Sequence, residues 1–66
     1  MTKEEAISQM MIGKKLTHRF FINDEWIKSD ETGKIYKFDD GSDCTNYEFW
    51  IDRSNKEWDS DWEIFK

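Results

Sequence analysis

Near the start of the chain apolar residues recur at intervals of three and four, and from Lys15 onward they recur at intervals of two. Such a change of period divides a helical opening from an extended remainder. In TKEEAISQMMIG, Ala6, Ile7, Met10 and Met11 form one stripe along a helix. Thr2 and Glu5 have the spacing of a capping box, in which the hydroxyl accepts from the backbone while the carboxylate reaches back to it. Gly13 is placed to take the left-handed conformation that ends the helix. So short a helix is not stable alone, and its stripe must dock on another element.

The remainder alternates. KLTHRFFI sets Leu16, His18, Phe20 and Ile22 against Thr17, Arg19 and Phe21, as in a half-buried strand. Asn23 and Asp24 mark a turn, EWIKS is a second strand, and DETGK is a hairpin connection with Gly33 free to take a positive φ. KIYKF is a third strand and DDGSD a turn cluster. NYEFWID alternates again, with Tyr47, Phe49 and Ile51 opposite Glu48, Trp50 and Asp52, and DWEIF closes the pattern. The pattern predicts an α+β fold, a short N-terminal helix packed on an antiparallel β-meander of about five strands. No proline interrupts these strands, and nothing resembling a linker divides residues 1–66, so a single small domain is expected.

Composition sharpens this picture. A chain of 66 residues has little core to draw on, and its 17% aromatic content supplies large rings for one. Oligomerisation would supply the rest, and a homo-oligomer is expected. The single cysteine, Cys44, cannot close an intrachain disulfide and is too few for a cysteine-based zinc site. With no apolar run of membrane-spanning length and no secretory signal pattern, the expected location is the cytoplasm. A net charge of −5 argues against direct nucleic-acid binding through a basic footprint, and favours either solvation or contact with a basic partner.

Candidate chemistry is sparse. His18 is the only histidine, and neither Cys44 nor Ser42 sits in a glycine-flanked nucleophile motif, so no catalytic activity is expected. DDGSD fails as a calcium loop, because the residue five before Gly41 is Tyr36 where an acid belongs. No metal and no cofactor are expected. The aromatic set carries more: Trp26, Trp50, Trp58 and Trp62 are more rings than one small sheet face easily buries. Trp62 shares a strand face with Ile64 and is assigned to the core, whereas Trp58, in a polar connection, is expected at the surface. Indoles beside cations hold a flat base and its phosphate by stacking and charge, which makes Lys15, Arg19, Trp26, Trp50, Arg53 and Trp58 the candidate ligand residues. In a competing reading, Asp39, Asp40, Asp43, Asp59 and Asp61 form an acidic surface that imitates nucleic acid.

The chain ends add a resemblance. EEAISQMMIGKKLTHRFF is similar to the opening of a phage-encoded family that antagonises the bacterial Thoeris immune system, and DSDWEIF resembles that family's closing pattern. Gly13, Lys14, Lys15, Arg19, Asp61 and Trp62 match by position, while RFFIND replaces the family's Lys-Gly-Trp-like turn. The resemblance implies a small phage anti-defence protein that oligomerises and sequesters a cyclic ADP-ribose-type nucleotide signal in the host cytoplasm. The alternative is an acidic inhibitor of a host nuclease or CRISPR effector, and a further one is a protein-interaction module with no defence role. The expected partner is thus a nucleotide signal or a host defence protein, with no membrane involved.

Overall fold

The computed structural model describes residues 1–66. The chain runs α1 (Lys3–Met11), β1 (Leu16–His18), β2 (Ile27–Ser29), β3 (Ile35–Phe38), β4 (Asp43–Thr45), α2 (Asn46–Ile51), a 3₁₀ turn (Lys56–Asp59) and β5 (Trp62–Ile64). The strands form one antiparallel sheet in the order β4-β3-β2-β1-β5. This is the expected α+β layout, with a second short helix. The first four strands are sequential neighbours, and the chain then crosses the sheet so that β5 pairs with β1.

Helix α1 starts and stops as its sequence dictates. The Thr2 hydroxyl accepts from the Glu5 amide and the Glu5 carboxylate accepts from the Thr2 amide. At the other end Gly13 has φ 96°, its N–H bonds the Met10 carbonyl, and the Lys14 N–H bonds the Gln9 carbonyl. That pair of bonds is a Schellman close, which satisfies carbonyls the last turn would leave open.

Three expectations need correction. NYEFWID is not a strand: residues 46–51 form α2, started by a second capping box between Thr45 and Glu48. The fourth strand comes instead from Asp43–Thr45, at the end of the DDGSD turn cluster. The first strand stops at His18, because the Phe21 N–H turns back to the His18 carbonyl and the Phe20 N–H to His18 Nδ1. Phe20 and Ile22 therefore leave the buried face and are exposed.

Residues opposite one another in register project to the same side of a sheet. The pairings place Leu16, His18, Ile27, Tyr36, Phe38, Cys44, Trp62 and Ile64 on one face. On that face Leu16, Ile27, Tyr36 and Trp62 are buried together with Ala6 and Met10 of α1 and Phe49 of α2. Both helices and the 3₁₀ turn lie over it. Burying each of the larger side chains contributes about 1.5–3 kcal/mol. The opposite face carries Thr17, Lys28, Ile35, Lys37, Asp43, Thr45 and Glu63 and has no helix over it.

Candidate functional site

Trp26 and Lys15, one residue before β2 and β1 respectively, fall by alternation on the open face. Phe65, one residue past β5, joins them, its N–H bonded to the Lys15 carbonyl. The Trp26 and Phe65 ring centroids are 6.4 Å apart and tilted by 48°. The Lys15 ammonium lies 4.4 Å from the Trp26 centroid, and that of Lys28 lies 5.9 Å away. An exposed cation over an indole contributes only about 0.5–1 kcal/mol. A base can therefore displace Lys15 from the ring at small cost and leave its ammonium free to meet the phosphate. Sequence reasoning named Lys15 and Trp26 but missed Lys28 and Phe65, although EWIKS already gives Lys28 and Trp26 the same parity.

Trp50, Arg53 and Trp58 lie on the covered side and already pack against their neighbours, although the buried Arg53 Nε has no hydrogen-bond partner. The Trp50 indole N–H donates to the Tyr36 hydroxyl at 2.9 Å, and the Lys3 ammonium stands 4.6 Å over its ring. The Arg53 guanidinium lies 4.0 Å over Phe49 and 5.2 Å from the Trp58 centroid, with one N–H donated to the Phe49 carbonyl. Trp58 is half-buried rather than a surface ring: it stacks on His18 at 4.3 Å, and its carbonyl accepts from the Trp62 indole. Trp62 itself is fully buried, as its alternation with Ile64 predicts. Burial and the Trp50 hydrogen bond act in opposite directions on the Tyr36 hydroxyl; burial is larger, and its pKa lies above the ordinary value.

Arg19 and Asp61 face each other where β1 ends and β5 begins, 3.2 Å apart and with 58% and 44% of their side chains exposed. They line a cleft of about 610 Å³ with Met1, Thr2, Glu5 and Ser60. Asp61 holds φ 69°, a conformation aspartate adopts more readily than most residues. Asp59 lies beside this cleft in the 3₁₀ turn, whereas Asp39, Asp40 and Asp43 surround the β3–β4 connection at the opposite edge. With strands about 4.8 Å apart, the two acidic groups are separated by roughly 19 Å. Asp40 is further occupied by the Ser42 hydroxyl and amide, which hold its carboxyl below its ordinary pKa. The five acids form two separate rims.

His18 is buried; its Nε2–H donates to the carbonyls of Ser60 (2.8 Å) and Glu57 (3.1 Å), and its Nδ1 accepts from Phe20. Burial, and then the Glu48 charge, push the Cys44 thiol up, away from the reactive thiolate. No three histidine, cysteine or acidic side chains are grouped to hold a metal ion, and no helix is long and apolar enough to cross a membrane. The arrangement on the open face can stack a flat ring and neutralise an anion. The chain matches no family model, and neither a curated protein nor a solved structure matches it.

Proposed function

We propose that this is a non-catalytic binding protein whose open sheet face holds a nucleotide. The observation that carries this reading is Trp26, set beside Phe65 with the ammoniums of Lys15 and Lys28 over its ring, on a face that no helix covers. Stacking on an indole tolerates any base, and the displaced ammonium supplies the phosphate contact. The engaged state of Trp50, Arg53 and Trp58 favours this face over the covered one. The resemblance of the chain ends supports a narrower form of the reading, sequestration of a cyclic ADP-ribose-type signal by a phage anti-defence protein. Exposed Ile22 (78%) and Tyr47 (71%) give such a protein apolar surface for self-association.

Thermal melting in the presence of ADP-ribose and cyclic dinucleotides tests the reading. A ligand at a hundredfold excess over its Kd stabilises by about 2.7 kcal/mol, which in a domain of this size raises Tm on the order of 10 °C. The reading predicts such a shift for at least one ligand and its loss in Trp26→Ala. No shift with any mononucleotide, cyclic dinucleotide or short oligonucleotide, or one that survives Trp26→Ala, would refute it.

A further inference from the structure

Three lysines stand in a single row across the middle of the open face. Lys28 and Lys37 are register partners between β2 and β3. Leu16 pairs with Ile27, so one step along the same register sets Lys15 opposite Lys28. The row continues to Phe65, opposite Lys15 beside β5, and to Asp43, opposite Lys37 on β4. Neighbouring strands are about 4.8 Å apart, so the three lysines span roughly 10 Å at right angles to the strands.

Like charges directly opposite each other destabilise a sheet. This chain has 15 acidic and 10 basic residues, and in the strands its acids stand only at the edges, as Asp43 on β4 and Glu63 on β5. Asp30 and Glu31 line a cleft of about 520 Å³ with Lys28 and Lys37. Even so, the molecule's only ion pair within 4.0 Å is Arg19 with Asp61, and none of the three lysines has a carboxylate at that distance. The middle of the sheet is therefore a positive stripe between acidic margins, opposite in sign to the net charge.

Resting on the assignment of the Trp26 face as the ligand face, we infer that the ligand is a short stretch of single-stranded nucleic acid, its backbone crossing β1 to β3 along the lysine row. A lone phosphate can meet one or two of these ammoniums. Successive phosphates of an extended strand can meet all three. Trp26 and Phe65, tilted and 6.4 Å apart, offer stacking surfaces to two splayed bases, as aromatic rings on open sheets do for unpaired bases. The acids on β4 and β5 confine the backbone to the stripe. The net charge of −5 excludes binding to nucleic acid at large but leaves this local footprint intact.

Anisotropy titrations of fluorescent oligothymidylate and oligouridylate octamers over a range of salt concentrations test the inference. Three phosphate contacts predict a slope of log K against log salt of about −2, and Lys28→Gln or Lys37→Gln should each reduce its magnitude by about 0.7. Lys56→Gln, in the 3₁₀ turn, should leave the slope unchanged. Binding of either octamer with the expected slope supports the inference. If ADP-ribose raises Tm while neither octamer binds, the inference fails and the nucleotide assignment stands. If neither ADP-ribose, a cyclic dinucleotide nor an octamer binds, both fail. Octamer binding with a slope unchanged in Lys37→Gln would also overturn the lysine row.

Discussion

On the covered face of the sheet, Trp50, Trp58 and Trp62 meet further rings and share hydrogen bonds; on the open face, Trp26 meets Phe65 and two lysine ammoniums. The same residue type thus sits in two different settings within one small sheet. Where the ring packs among other rings, with the indole N–H also bonded at Trp50 and Trp62, tryptophan specifies a fold. Where the contacts are one ring and two lysine ammoniums on a face with no helix over it, the ring is the one proposed to meet a ligand.

The sharpest way to break this contrast is to delete one ring from each face. Trp62→Ala removes a fully buried ring and its hydrogen bond to the Trp58 carbonyl, and should cost about 3–5 kcal/mol in urea unfolding. Trp26→Ala should cost under about 1 kcal/mol, because the ring is half-exposed and no element packs over it. Equal losses would erase the distinction between the faces.

Gly33→Ala should follow at about 1–2 kcal/mol, since Gly33 holds φ 78°. The added Cβ would also stand 2.6 Å from Met11 Sδ, a flexible atom that can move aside. The effect should appear as a lower urea midpoint, and it locates the β2–β3 turn against the end of α1.

Next in size are the caps. Thr45→Ala should cost about 1 kcal/mol by the same measurement. Glu5 and Glu48 each accept a backbone N–H, from Thr2 and Thr45 respectively, and this contact above all holds their carboxyls below the ordinary 4.5. A depressed folded-state value stabilises above the unfolded value, and that stabilisation disappears as pH falls through the folded one. The unfolding midpoint should therefore drop as pH is lowered below about 4.5, and less steeply in the Glu5→Gln, Glu48→Gln double variant. Asp30, bonded by the Thr32 hydroxyl, adds to the same acid limb.

The smallest effect has the most informative sign. Lys28→Glu replaces a like-charge row with alternating signs and should stabilise the fold by about 0.2–1 kcal/mol while abolishing octamer binding. A change that strengthens the fold and removes binding marks a residue retained for its ligand. Destabilisation would show instead that Lys28 supports the sheet.

How far the sequence foretold this differs between its two capping boxes. Thr2-x-x-Glu5 precedes a stripe at helical spacing, and the helix is plain. Thr45-x-x-Glu48 carries the same signal, but Tyr47, Phe49 and Ile51 alternate behind it as in a strand, and a helix of only six residues leaves no long period to compete. Asp43–Thr45 lacks a strand-like composition and becomes β4 by pairing with β3. The candidate site divides in the same way. Lys15 and Trp26 stand out as a cation and a ring near strand ends, whereas Phe65 and Lys37 join them only because β5 lies beside β1 and β3 beside β2. Strand neighbours are a property of the folded chain, and alternation along one strand does not reveal them.

The central claim is that ligand meets the open face and leaves the covered one undisturbed. Nuclear magnetic resonance of nitrogen-15-labelled protein, titrated in parallel with ADP-ribose and with the oligothymidylate octamer, tests it most directly because each of the four indole N–H groups gives its own signal. Saturable shifts at the Trp26 indole and the amides of Lys15 and Lys28, with the Trp50, Trp58 and Trp62 indoles unmoved, are the predicted result. Shifts centred on Trp50, Trp58 and Arg53, or none with either ligand, would contradict it.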